Sequence, residues 1–347
     1  MTQVWSWRNR HDRAGLLTRS PLQEERRPHV VQTARLSLFI VIMLVLIPYG
    51  LAQQKGQWLP GQSGLNAGVL PEPGFTYANL TIHYSADSMK DSNGHSIPVQ
   101  GNYGFWAIEN NFFFVPNFEF LGGHFALLAD VPTANGSLTV PQFGVSAGGH
   151  GLADVWLQPA TLGWHLRRAD TYVAYAFMAP VGRYTPGATD NVGSGYWGHH
   201  FVTGTTAYLT KNKGTSLNLT TDWEFHGQKT GSNVTPGQAF TTEWGFGQIL
   251  PLDKQMKKLL QLGLIGYDQW QVSANGGTVG PGVPASLVPY YSVHAVGFQS
   301  NFIVPAKGLS LFFKYEPEYR ARAHSQGTTI VFGASWTLRI PRSSSRP

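Results

Sequence analysis

Long stretches of this chain alternate apolar and polar residues with a period of two, and no other feature constrains its fold so tightly. From Leu217 to His226, one face carries Leu217, Leu219, Thr221, Trp223 and Phe225. The other carries Asn218, Thr220, Asp222, Glu224 and His226. A strand sends successive side chains to opposite faces, whereas a helix would scatter both sets around its circumference. The same separation places Leu311, Phe313, Tyr315 and Tyr319 against Phe312, Lys314, Glu316, Glu318 and Arg320. It places Phe240, Thr242, Trp244 and Phe246 against Thr241, Glu243, Gly245 and Gly247. A last strand offers Ile330, Phe332, Ala334, Trp336 and Leu338.

Weaker candidates lie at 75–85, 103–115, 118–131, 152–165, 171–180, 200–209, 259–270 and 290–304. Together they make about twelve strands, most of them roughly 10 to 14 residues long, where a globular strand has ~5–6. A tilted strand needs ~9–11 residues to cross a bilayer. Strand length therefore separates a membrane barrel from a soluble β-sandwich, which shares the alternation. The expected fold is all-β, a single transmembrane antiparallel β-barrel over residues 74–340.

Composition agrees with that reading. Only 13% of residues are charged, against about 25% in soluble proteins. Eleven tryptophans occur. Several sit near expected strand ends, among them Trp106, Trp164, Trp244, Trp270 and Trp336, as interfacial girdles require. Connections also differ in length. Val115-Pro116-Asn117 and Arg167-Arg168-Ala169-Asp170 are short, while 132–150, 181–199, 227–239 and 271–289 read as long loops rich in Gly, Pro, Ser and Asn. Segment 253–258 suits a polar turn or a short helix.

The N-terminus reads as an export signal. Arg35 precedes the apolar run Leu36 to Leu51, and Gly50-Leu51-Ala52 supplies small residues for a cut after Ala52. The run is about 16 residues, short for a spanning helix of ~20, and Pro48 interrupts it. Residues 1–52 are thus expected to be a signal peptide with a long n-region, 53–73 an irregular N-terminal extension, and 341–347 a tail. The formal charge of +6 comes mostly from this leader. Removing its seven arginines and three acids from 25 basic and 19 acidic residues leaves 18 and 16. No basic patch for nucleic acid remains.

The chain has no cysteine, which excludes thiol nucleophiles, iron–sulfur clusters and disulfide scaffolds. Gly193, Gly195 and Gly198 form GxGxxG, but in a loop leading into a strand, so no dinucleotide site follows. His199 and His200 would point to opposite faces of a strand, which is poor for joint metal ligation. Asp87, Asp91, Asn93 and Gly94 lack the glutamate of a calcium loop and suit a turn. No catalytic residue, metal or cofactor is assigned. A barrel hydrolase stays open as an alternative because His226 lies near Asp222 and Glu224, although no serine nucleophile stands out.

Charges on the lipid face cost ~2–4 kcal/mol near the midplane. Asp222, Glu224, His226, Glu243, Lys314, Glu316, Glu318 and Arg320 are therefore expected to line the lumen. They would either form a hydrogen-bonded polar interior or set the selectivity of a conduit. No plug domain is evident.

The order of short motifs resembles the bacterial family named for the meta-pathway of phenol degradation, a group of predicted outer-membrane transporters. The resemblance rests on Pro73-Gly74-Phe75, Asp91-Ser92-Asn93-Gly94, Leu121-Gly122-Gly123-His124 and Gly151-Leu152-Ala153-Asp154 through Gln158-Pro159. It continues through Leu162-Gly163-Trp164, Ala179-Pro180-Val181-Gly182-Arg183-Tyr184 and the stretch Asn191 to Trp197. Val181 stands where threonine is expected. The resemblance implies passive passage of small hydrophobic or aromatic compounds across the bacterial outer membrane. Its partners would be the lipid bilayer, that substrate and the barrel-assembly machinery. A non-transporting structural barrel is the remaining alternative.

Overall fold

A computed structural model describes residues 56–98 and 101–339. The expected signal peptide and the tail lie outside the described residues. Among the described residues, fifteen strands form one antiparallel sheet. They are β1 (Gly74–Lys90), β2 (Asn102–Val115), β3 (Glu119–Phe120), β4 (Gly123–Asp130) and β5 (Thr133–Val140). Then come β6 (Val145–Leu152), β7 (Val155–His165), β8 (Ala169–Ala179), β9 (Gly198–Tyr208) and β10 (Thr215–His226). The rest are β11 (Ala239–Pro251), β12 (Leu259–Gln271), β13 (Ser292–Val304), β14 (Leu309–Arg322) and β15 (His324–Arg339).

The sheet closes on itself. β1 pairs with β15 from Gly74↔Arg339 to Lys90↔His324, and with β2 from Gly74↔Val115 to Ala86↔Tyr103. β2 pairs with β4, and the circuit continues β7, β8 and onward to β15. Twelve strands (β1, β2, β4 and β7 to β15) thus make a closed barrel. Closure gives each of these twelve strands two neighbours, which satisfies backbone groups that lipid could not.

One side of the wall departs from the regular pattern. β2 gives its lower part, Asn111–Phe114, to β4 and its upper part, Asn102–Ile108, to β5. Val131-Pro132 separates β4 from β5, and proline has no N–H to continue a ladder. Ala153-Asp154 likewise separates β6 from β7. Segment 132–150 is therefore no loop. It holds the β5–β6 hairpin, paired from Thr133↔Leu152 to Val140↔Val145. Its short Gly- and Ser-rich strands hid the alternation that marks the others.

The molecule is inside-out. Leu217, Leu219, Trp223, Phe298, Phe332 and Trp336 are exposed, while Asp222, Glu224, Glu243, Lys314 and Glu316 are buried. Apolar side chains meet the bilayer, and ionisable ones point to the axis. Connections at one end are short: 166–168, 209–214, 252–258 and 305–308. At the other end, 180–197, 227–238 and 272–291 are long. Short turns face the periplasm and long loops the exterior in such barrels, so Gly74 and Arg339 mark the periplasmic end. Segment 253–258 is a turn, with Asp253 accepting the amides of Gln255, Lys257 and Lys258.

Candidate functional site: the barrel lumen

Residues 56–73 occupy the lumen. This segment has no strand or helix of its own, so its backbone donors and acceptors need partners elsewhere. The inward faces of the barrel supply them. Near the periplasmic end, Gly68 N–H donates to Thr206 Oγ1 at 2.9 Å. Higher up, Asn66 N–H donates to Asn218 Oδ1 at 2.9 Å and Leu65 N–H to Gln299 Oε1 at 2.9 Å. Gly61 and Ser63 donate their amides to Glu243 at 3.1 and 2.7 Å, and Trp58 Nε1 donates to the same carboxylate at 2.7 Å. Lys314 Nζ donates to the carbonyls of Gly61, Gln62 and Ser63. At the exterior end, Gln57 N–H donates to Glu224 Oε2 at 2.5 Å, and its amide to Ser194 Oγ at 2.8 Å.

Glycine is required along this path. Gly61 has φ 96 and Gly64 φ 120, values that other residues rarely adopt. A Cβ on Gly68 would stand 2.2 Å from Asp170 O. The extension expected at 53–73 is therefore, over 56–73, an internal plug made of a segment rather than a domain. Nothing periodic in its sequence signals this. Its richness in Gly, Gln, Ser and Asn is the signal available, since these residues suit a backbone bonded by side chains.

The expected lumen residues divide into groups. Glu243 and Lys314 seat the middle of the segment. Glu316 lies against it, with Oε2 2.7 Å from where a Cβ on Gly61 would be. Glu224 takes Gln57 and, at 3.1 Å, His226 Nε2. Asp222 pairs with His200 Nδ1 at 3.0 Å, a partner supplied by the adjacent strand. Glu318 accepts the hydroxyls of Tyr84 and Tyr267, each at 3.0 Å.

Arg320 does not line the lumen. A register shift between His294 and Ala295 places Arg320 opposite His294 on the outer face, while Glu318 stays inside opposite Ala295. The bulge inverts the parity of the alternation. Ala321, not Arg320, packs inward against Tyr267, Val293 and Ala295.

Beside the segment runs a cavity of about 820 Å³. Its lining extends from Asn191 and Val192 in the exterior loops to Ser335 and Thr337 near the periplasmic end. One wall is apolar. Ala78, Leu80 and Ala107 pack there with Leu59, Phe105, Ala134 and Phe312. Trp156 and Val202 pack with Trp58, Leu128, Tyr172 and Met178. The ionisable side chains reaching it include Glu109, Asp130, Asp154, Lys213 and Lys314. Of the expected set only Lys314 borders this space. Glu109 was missed although it sits in the inward series Phe105, Ala107, Glu109, Asn111, Phe113 of β2.

Asp154 lies in the break between β6 and β7. Its carboxylate accepts the amides of Gly182 and Ser194 and the Ser194 hydroxyl, which fixes loop 180–197 above the lumen. Burial pushes this carboxyl up, against the lowering by those hydrogen bonds. His199 and His200 do face opposite ways, His199 to Tyr175 outside and His200 to Asp222 inside. Asp91 accepts the amides of Asn93 and His95, a simple turn.

A closed antiparallel barrel with apolar exterior, polar interior and unequal loops defines an outer-membrane β-barrel. The chain belongs to the family described as "Putative MetA-pathway of phenol degradation", matched over residues 86–333. The fold is similar to the COG4313 outer membrane channel from Pseudomonas putida F1, at 14% identity and TM-score 0.66, covering 81% of this chain and 100% of that one. It is also similar to the beta domain of the Bordetella autotransporter BrkA, at 11% identity and TM-score 0.51, covering 77% and 100%. No curated protein matches the sequence.

Proposed function

We propose that this barrel is a passive channel that admits small hydrophobic or aromatic compounds across the outer membrane. The carrying observation is the cavity, whose volume of about 820 Å³ suits a small molecule and whose wall is mostly aliphatic and aromatic. A water-filled porin would present polar groups on all sides. Here Glu224, Glu243 and Lys314 hold residues 56–73 from the opposite side, and only a few ionisable groups, Glu109, Asp130 and Asp154, interrupt the apolar wall. The family description and the name of the P. putida channel support the same reading.

A barrel hydrolase is disfavoured by the site itself. Both ring nitrogens of His226 are engaged, Nδ1 with the Gly237 carbonyl at 2.9 Å and Nε2 with Glu224 at 3.1 Å, which leaves neither to activate a hydroxyl. Assembly into the membrane would fall to the barrel-assembly machinery, as for other barrels of this construction. The test is uptake of a labelled monoaromatic, such as toluene or phenol, by cells expressing the protein. Uptake above that of barrel-free cells is expected, with no matching gain for a sugar of similar size. Equal rates for both solutes, or no gain for either, would remove the proposal.

A further inference from the structure

We infer that His200, Asp222 and Glu224 form a binding site for a divalent transition-metal ion, of the zinc type, inside the exterior end of the barrel. Glu224 lies directly opposite His200 across β9 and β10, and Asp222 is two residues along on the same inward face. One donor atom from each residue lies within 4.8 Å of the others. Donors around zinc, with bonds of ~2.0–2.2 Å, stand roughly 3–4 Å apart. A side-chain adjustment of about an ångström therefore completes the set.

Two further observations point to an ion. Glu224 Oε1 and His200 Nε2 are fully buried and have no hydrogen-bond partner. Buried polar atoms are almost always paired, so orphans in one cluster mark a place where a ligand belongs. Two carboxylates are also buried together here. The ion pairs of both carboxylates are with histidines, Asp222 with His200 and Glu224 with His226. Two buried carboxylates carry net negative charge whenever the imidazoles beside them are neutral, which is costly away from water unless a cation compensates.

Imidazole selects the class of ion. Calcium and magnesium prefer oxygen ligands alone, while a mixed imidazole and carboxylate set suits zinc and its neighbours. The N-terminal segment covers the cluster. Gln57 N–H reaches Glu224 Oε2, and a Cβ on Gly56 would stand 2.6 Å from Glu224 Oε1. The ion would share Glu224 with the upper end of the plug.

The experiment uses the full-length barrel without a histidine tag, folded in detergent and stripped with chelator. Zinc is titrated calorimetrically, and retained metal is counted by mass spectrometry after gel filtration. One zinc per chain is expected. His200→Gln and Glu224→Gln should weaken binding by at least tenfold, while His294→Gln on the outer face should not. Should the two lumen variants fail to fold, cobalt titration of the wild-type protein decides. Visible bands of an imidazole-bearing site, displaced by zinc and not by calcium, would support the site. No retained zinc, equal retention in a folded His200→Gln, absent cobalt bands or displacement by calcium would each overturn it. These readouts are independent of transport, so failure here and failure of the channel reading are separable.

Discussion

Lys314 and Glu243 hold the same turn of the lumen segment through opposite polarities. The lysine donates to the carbonyls of Gly61, Gln62 and Ser63, and the glutamate accepts the amides of Gly61 and Ser63. Neither strand nor helix could satisfy this turn, because the segment is enclosed by a wall whose backbone is already paired.

Removing the lysine alone should loosen that turn. Lys314→Met leaves three carbonyls without their donor and leaves Glu243, Glu109 and Glu316 without the nearby cation. Deleting one partner of a buried charge network costs about 3–5 kcal/mol. The expected outcome is a lower temperature for the boiling-induced gel shift and more frequent current steps in planar bilayers. An unchanged shift and silent records would mean that the segment is held elsewhere.

Gly68 offers a gentler perturbation. A Cβ there meets the backbone at Asp170 O and at Thr206 N, 2.2 and 2.5 Å away, so neither neighbour can give by turning a side chain. Gly68→Ala should displace the lower segment and raise single-channel conductance, with the barrel intact. Gly136→Ala, whose Cβ would meet only ordinary contacts of 3.7 Å or more, is the control. Equal conductance in both variants would show that the segment does not limit flow.

The alternation made the barrel legible because lipid and lumen impose opposite demands on neighbouring residues. The strand read at Leu217 to His226 falls within β10, and Phe240, Trp244 and Glu243 sit on the faces expected for β11. Four features were not legible. Arg320 changes face through a bulge that adds a residue without leaving a local signature. β5 and β6 are built from Gly, Ala, Ser and Thr with few apolar side chains, so period two is muted. Residues 56–73 are aperiodic because long-range side chains, not neighbours in sequence, satisfy them. In the sequence His200 stands beside His199, whereas its partners lie across the sheet on β10.

Filling the apolar wall should slow transport without opening the barrel. Ala134 borders the cavity and packs against the Ala78, Leu80 and Ala107 cluster. Ala134→Phe adds a ring to that space, and overpacking typically costs about 1–3 kcal/mol. Uptake of a monoaromatic should fall several-fold while the heat-shifted band persists. Undiminished uptake would place the route outside this cavity.

The outer face should tolerate no charge at mid-height. Leu219 is exposed on β10, while its neighbour Thr220 is buried. Leu219→Arg should cost ~2–4 kcal/mol in a bilayer, near the midplane maximum. Urea unfolding from lipid vesicles reads this directly. A loss under 0.5 kcal/mol, about the size of a neutral surface change, would mean that Leu219 does not face hydrocarbon.

The exterior loop 227–238 carries its own pH dependence. Lys229 is buried there, its Nζ 5.5 Å from the centre of the Tyr184 ring, and burial pushes its ammonium down to about 8. Its amide donates to Val234 O, and its carbonyl accepts from Ser232, so the residue anchors the loop's own turn. An unfolded lysine titrates near 10.4. Between about 8 and that value the unfolded loop binds more protons than the folded one, so loop order rises with pH. Below about 8 the lysine is charged in both states and the gain is gone. Lysines labelled by reductive methylation should show one NMR resonance titrating near 8 and absent in Lys229→Arg. Limited proteolysis within 227–238 should be faster at pH 7 than at pH 9.5. Lysines that all titrate together, with cleavage insensitive to pH, would show that Lys229 is solvated.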